Sequence, residues 1–192
     1  MTIKVGAILH AAGFSNRFGS LKLCAELNNG STVFEQTLKR IHTSIPEYKV
    51  VTRPEIAHRL NSVETKLNIF CDAEKGMGST IAFGISLIDD WDAVLICLAD
   101  MPFIQEDTYR RLAAALTNEN IVSPFYKQQA GNPIGFGSNF FPELAKLKGD
   151  SGAKRIVQTH KTSVVRVNIE EPAILYDIDI PQDLDKFQAL SS

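Results

Sequence analysis

The chain predicts an α/β protein: a mostly parallel sheet enclosed by helices on both sides, a three-layer α/β/α sandwich. Three observations carry this. Apolar runs alternate with amphipathic helical stretches over most of the 192 residues. The leading runs are largely apolar rather than alternating, as in strands buried on both faces. The first run also ends in small residues and glycines, and open α/β sheets place ligands beyond the carboxyl ends of their strands.

The elements follow in order. Ile3–Leu9 opens the sheet, and Tyr48–Thr52, Leu67–Cys71 and Ala93–Leu98 continue it, with weaker strands at Ile121–Ser123 and Ser163–Val167. Helical patterns fill the intervals at Val33–His42, Ile56–Leu60, Ile81–Ile88 and Thr108–Leu116. In the first of these, Phe34, Leu38 and Ile41 recur at i, i+4 and i+7, which makes one buried face. Right-handed crossovers are the default for such units. From Ser123 to Ser138 the chain turns rich in Gly, Pro and aromatics, which reads as a hairpin or an irregular excursion from the sheet. Helices are expected around Asn139–Lys146 and Gly152–His160. The closing I-L-Y-D-I-D-I-P-Q-D-L predicts a short strand, a turn and a final helix with Pro181 in its first turn. Without repeats or linkers, one domain spanning 1–192 is the simplest account.

Composition excludes several classes. Hydrophobic residues make up 44% and charged residues 22%, as in ordinary globular proteins. A formal net charge of −2 argues against nucleic acid as a partner, which calls for a basic surface. No apolar run approaches the roughly 18 residues of a membrane span. The start of the chain leads into a strand rather than a cleavable signal. Cys24, Cys71 and Cys97 lack metal-ligand spacing and read as reduced thiols of a cytoplasmic protein.

The most informative segment is Leu9 to Lys22, L-H-A-A-G-F-S-N-R-F-G-S-L-K. A buried strand opening into this loop can wrap phosphates. Glycine permits close backbone approach, successive N–H groups form an anion nest, and Arg17 and Lys22 add full charges. No Gly-Lys-Ser/Thr follows, which excludes the Walker loop, and Gly13 to Gly19 does not fit G-x-G-x-x-G. The loop therefore predicts a nucleotide site of another kind and disfavours a dinucleotide oxidoreductase.

Four further segments carry candidate chemistry. V-L-I-C-L-A-D-M-P-F sets Asp100 at the end of a central strand, at the same sheet edge as the Gly13 loop. Its carboxylate suits Mg²⁺, or it is a turn or cap residue before Pro102. In Y-D-I-D-I-P-Q-D, Asp177 and Asp179 share a side if the segment is extended. A cation or basic partner between them would relieve repulsion; alternatively Asp179 caps the last helix. Gly76, Gly78, Ser79 and Thr80 open a helix whose free N–H groups suit a base or ribose, or Ser79 or Thr80 simply caps it. In G-D-S-G-A-K-R, Asp150 or Ser151 would cap a helix carrying Lys154 and Arg155, which are solvated or attract an anionic acceptor. The four histidines fit no ligand spacing. His10 stands at the mouth of the first loop, where a packed or solvent-paired imidazole is the simpler reading.

Together these segments resemble the L-A-A-G-x-S-x-R-F-G-x-x-K signature of MobA-like nucleotidyltransferases. The similarity continues in order through G-M-G-S-T, L-A-D-M-P, G-N-P, L-K-G-D-S-G-A-K and D-I-D-x-P-x-D. The Ala-Ala-Gly loop and G-M-G-S-T look like the molybdenum cofactor cytidylyltransferase branch. The resemblance implies a Rossmann-like fold of the nucleotide-diphospho-sugar transferase type, with a nucleotide-binding half at about 1–105 and an acceptor-binding half at about 106–192. It implies Mg²⁺-dependent transfer of CMP from CTP to molybdopterin cofactor with release of pyrophosphate, and a molybdoenzyme or its maturation factor as recipient.

Carried over by position, Ala11, Ala12, Gly13, Ser15, Arg17, Gly19 and Lys22 would cradle the triphosphate. Arg17, Lys22 and Asp100 would form the catalytic set. Asp100 and Asp179 match the metal-binding aspartates, with Asp177 the alternative second ligand. Gly78, Ser79 and Thr80 would lie near base and ribose, and Asn132, Asp150 and Lys154 near the acceptor. The chain departs from the family in three places. His10 replaces a leucine, Asn132 stands where many cytidylyltransferases have histidine, and Ile180 replaces a threonine. The first two bear on which substrates are used. Alternatives are GTP with the same cofactor, a sugar phosphate with CTP or UTP, and a non-catalytic cofactor-binding or delivery protein. Retention of Arg17, Lys22 and Asp100 together argues against the last.

Overall fold

Strand β1 (Val5–Ala11) is paired in parallel with β2 (Glu47–Thr52) on one side and β4 (Ala93–Leu98) on the other. The computed structural model describes residues 3–15, 17–60 and 65–191. Strand β3 (Leu67–Ile69) extends the parallel half beyond β2. Helices α1 (Val33–Ser44), α2 (Pro54–Leu60), α3 (Met77–Ser86) and α4 (Glu106–Ala115) lie in the intervals. Helix α1 starts where Thr32 and Glu35 form a capping box, each side chain accepting the other's backbone N–H.

The alternation of side chains along the strands builds two cores. Ala7, Leu9, Leu95 and Cys97 face one side, packed with Phe34, Leu38 and Ile41 of α1 and Leu112 of α4. Ile8, Val94 and Ile96 face the other, packed with Ile81 and Ile85 of α3. The three layers expected from the sequence are present.

The second half differs from its expected course. Strand β5 (Ile121–Tyr126) turns through Lys127 and Gln128, both at positive φ, into β6 (Gln129–Ala130). The chain then re-enters the sheet as β7 (Ile134–Gly137), antiparallel to both β4 and β5. The hairpin is therefore real, but the segment after it is a buried strand between β4 and β5, not an excursion. Strand β8 (Val164–Asn168) pairs in parallel with β5, and the sheet runs β3-β2-β1-β4-β7-β5-β6 with β8 beside β5.

The helix expected at Asn139–Lys146 shortens to a 3₁₀ turn, Ser138–Phe140, and α5 (Phe141–Leu144); the next is α6 (Lys154–Thr159). The short strand expected before Pro181 does not form. A 3₁₀ turn, Pro172–Leu175, buries Ile174 and precedes irregular backbone that buries Ile178. Pro181 opens α7 (Pro181–Ser191) as expected. Asp183, in the first turn, reaches back so that its carboxylate accepts the N–H groups of Asp179 and Ile180. Among the described residues, no helix is long and apolar enough to cross a membrane.

Candidate active site

The register of β1 against β4 sets His10 beside Leu98, so both strands end at one edge of the sheet. The loop after β1 returns through a 3₁₀ turn, Lys22–Cys24, which drives Lys22 inward until only 9% of it is exposed. Its ammonium donates to Asp100 Oδ2 at 2.6 Å and to the Ile178 carbonyl at 2.7 Å, and lies 3.5 Å from Asp179 Oδ1. The exposed Arg17 reaches Asp179 Oδ2 at 2.8 Å. The Ile178 N–H donates to the Asp100 carbonyl, which ties the C-terminal segment to the end of β4. Arg17, Lys22, Asp100 and Asp179 thus meet around a cleft of about 410 Å³, with His10, Gly13, Ser15 and Asp177 in its wall.

Two further cavities share walls with this cleft. One, of about 380 Å³, holds Asn132, Asp150 and Lys154 and shares Met77, Leu98 and Asp177 with the first. The other, of about 200 Å³, is walled by Ala12, Ala73, Glu74 and Thr80 and shares His10, Gly13, Phe14 and Met77. Three connected spaces therefore run along the carboxyl edge of the sheet, where the topology predicts them.

Some predicted residues lie elsewhere. Ala11 is the last residue of β1 and is packed in the core. Gly19, at φ +78°, is exposed and lines none of the three spaces. Gly78 and Ser79 also line none of them. The Gly78 N–H donates to the Gly149 carbonyl at 2.7 Å, and Ser79 Oγ bonds the Lys75 carbonyl and the Gly149 N–H. The start of α3 is thus pressed against the loop at 149–151. Neither Ser79 nor Thr80 caps α3, whose N-cap is Gly76, and α6 has Ala153 at its N-cap, with no side-chain cap from Asp150 or Ser151. At α3, a backbone contact between distant segments replaces the local cap.

Sequence reasoning missed two features. The Ile178 carbonyl carries no signal in a side-chain pattern. Arg53, directly after β2, lays its guanidinium 4.5 Å from the Phe14 ring centroid at the mouth of the cleft. Its place at the end of a parallel strand is a usable clue.

The donor set suits a hard divalent cation. Asp100 Oδ1 is buried without a hydrogen-bond partner among the described residues. Burial raises the Asp177 carboxyl above its ordinary pKa, with Asp100 and Asp179 adding to the effect and its own backbone N–H and Lys22 opposing it. Crowded carboxylates gain from an added positive charge. Among the described residues, no three His, Cys, Asp or Glu side chains could hold an ion by themselves.

Comparison with known proteins agrees with this geometry. The model for the MobA-like NTP transferase domain matches residues 7–164. The chain is 31% identical over 195 residues to the purine catabolism protein PucB of Bacillus subtilis (strain 168), covering 94% of each. The crystal structure of Rv0371c from Mycobacterium tuberculosis H37Rv aligns with a TM-score of 0.87 and 21% identity over 98% of this chain and 99% of that one. Its manganese complex aligns with a TM-score of 0.82 and 18% identity over 97% and 98%. At these identities the structural likeness is one of fold. With more than half its length under the family model, the chain belongs to the MobA-like NTP transferase family and is a nucleotidyltransferase of the nucleotide-diphospho-sugar transferase fold.

Proposed function

We propose that this enzyme transfers CMP from CTP to a phosphate of molybdopterin cofactor with Mg²⁺, releasing pyrophosphate. The observation that carries the reading is the meeting of Lys22, Arg17, Asp100 and Asp179 in one cleft at the ends of β1 and β4. Such a site has the cations for a triphosphate and the carboxylates for its metal. The motifs favouring CTP are the Ala11-Ala12-Gly13 loop and G-M-G-S-T.

The acceptor's phosphate oxygen is already nucleophilic, so no general base is needed. The protein's work is alignment and charge neutralisation. Lys22, and Arg17 bidentately, would neutralise the triphosphate as pyrophosphate leaves. Mg²⁺ held by Asp100 and Asp179 would supply Lewis acidity at the reacting phosphate. The space of about 200 Å³ suits the nucleoside, the cleft of about 410 Å³ the phosphates, and the space of about 380 Å³ with Asn132, Asp150 and Lys154 the acceptor. In this reading residues 1–192 act as one domain, with the nucleotide held mainly by 1–105 and the acceptor mainly by 106–192. The product would pass in the cytoplasm to a molybdoenzyme or its maturation factor.

The test incubates purified protein with CTP, Mg²⁺ and molybdopterin cofactor and follows pyrophosphate, beside an authentic cytidylyltransferase. Parallel arms replace CTP by GTP or UTP and the cofactor by sugar phosphates. Pyrophosphate release that is strongest with CTP and the cofactor is expected. Silence from this protein while the control turns over refutes the assignment. A clear preference for another pair transfers the reading to that pair.

A further inference from the structure

We infer that the His10 imidazole accepts a hydrogen bond through Nε2 from a ribose hydroxyl of the bound nucleoside triphosphate. The inference rests on the nucleotide-binding reading above and adds a contact that a leucine at this position could not make.

Three observations support it. First, His10 Nε2 is buried and has no hydrogen-bond partner among the described residues. Buried polar atoms are nearly always paired, so an orphan on a cavity wall asks for a ligand. Second, His10 lines both the cleft with Arg17 and Lys22 and the smaller space with Glu74 and Thr80, but not the space holding Lys154. With phosphates in the first and the base in the second, the wall common to both faces the ribose.

Third, the ring's chemistry selects the ligand atom. Burial lowers the His10 pKa below its ordinary value; Lys22 adds to this, while Asp100 and a bond to its own main-chain carbonyl oppose it. The ring is therefore neutral. A neutral imidazole keeps one nitrogen bare, and with Nε2 as that nitrogen the ring offers the ligand a lone pair. A lone pair cannot bond an ionised phosphate oxygen, which is itself an acceptor. It can accept from a hydroxyl.

The test is calorimetric binding without acceptor, using CTP, 2′-deoxy-CTP and 3′-deoxy-CTP, with GTP and its deoxy forms alongside. Wild-type protein should bind the ribonucleotide about tenfold more tightly than one of its deoxy forms. His10→Leu should bind the ribonucleotide about tenfold more weakly than wild type and that deoxy form equally well, so the discrimination disappears. His10→Gln keeps an acceptor near the Nε2 position and should restore part of it, which also separates the effect from a packing fault. Equal affinity of wild type and His10→Leu overturns the inference, as does equal weakening for ribo and deoxy forms. Wild type that binds ribo and deoxy forms alike overturns it while leaving the transferase reading intact. Folded wild type that binds no triphosphate overturns both.

Discussion

Lys22 Nζ lies 2.6 Å from Asp100 Oδ2, although the two residues are 78 positions apart in the chain. The pair forms because β1 and β4 are parallel neighbours whose ends open at the same edge. Asp179 and the Ile178 carbonyl complete the surroundings of the ammonium. Neither charge is left alone in a partly buried site, where an unpaired ion would cost several kcal/mol. In the proposed reaction the same charges change partners: phosphate for the lysine, metal for the aspartates.

Lys22→Ala therefore weakens two things. Loss of a charged donor to the triphosphate should raise the nucleotide Kd roughly 10- to 100-fold, while acceptor affinity stays nearly unchanged. Asp100 and the Ile178 carbonyl lose their donor, so stability should fall by about 1–3 kcal/mol in urea unfolding. Equal loss of affinity for both substrates would contradict the role given to Lys22.

Asp100→Asn keeps a neutral acceptor for the Lys22 ammonium but removes the charge a divalent ion requires. Turnover should drop at least about 100-fold, with an unchanged circular dichroism spectrum. Activity near wild type would remove Asp100 from the metal site.

Gly76→Ala tests the joint between α3 and the loop that walls the 380 Å³ space. Gly76 sits at φ +99°, and a Cβ there would come within 2.5 Å of the Gly149 carbonyl carbon and 2.6 Å of its oxygen. Backbone cannot swing aside as a flexible side chain can. The loss should be at least about 1–3 kcal/mol by urea unfolding. Gly149→Ala, at φ +63° with nothing within 4 Å, carries the conformational strain alone and should cost less. Equal losses would mean that the close approach is immaterial.

The first half of the sheet is legible in the sequence because β1 and β4 are apolar on both faces, as strands of a parallel sheet covered by helices on each side must be. Arg17, Lys22 and Asp100 are legible for the same reason: the ends of such strands share an edge. Strand β7 is not. Its I-G-F-G reads as loop, yet Gly137 is needed because the backbone of Thr117 and Asn118 occupies the place of a Cβ. The alternating I-L-Y-D-I-D-I misleads in the opposite direction. Ile174 and Ile178 are buried by tertiary packing, not by strand pairing. Ser79 misleads for a third reason, since its hydroxyl meets Gly149, 70 positions away, and no local pattern encodes that contact.

Glu171 gives a pH test away from the cleft. Burial raises its carboxyl above the ordinary value of 4.5, against hydrogen bonds from Thr108 and the Gln105 N–H. The folded state then holds a proton that the unfolded state releases, so this group contributes fully at low pH. Its contribution is lost as pH rises from about 4.5 through the raised folded value. Glu171→Gln carries no such charge. Its Tm relative to wild type should climb between about pH 4 and pH 7 in thermal melts. A difference that stays flat, or falls, contradicts the direction of the shift.

Lys154 is the first residue of α6, and Arg155 follows it. Cations at a helix N-terminus face the positive end of the helix dipole, an arrangement that costs a few tenths of a kcal/mol for exposed groups. The fold gains nothing from that placement. Among the described residues Lys154 has no side-chain hydrogen bond or ion pair to offset it, and it lines the space with Asn132 and Asp150. An anion arriving from outside the chain accounts for the position better than stability does. Lys154→Ala should therefore raise KM for the phosphate acceptor about tenfold while KM for the nucleotide and kcat stay close to wild type. Its Tm should be equal to or slightly above that of wild type. An unchanged acceptor KM would leave the 380 Å³ space without its proposed occupant, and a lowered Tm would return Lys154 to a structural role.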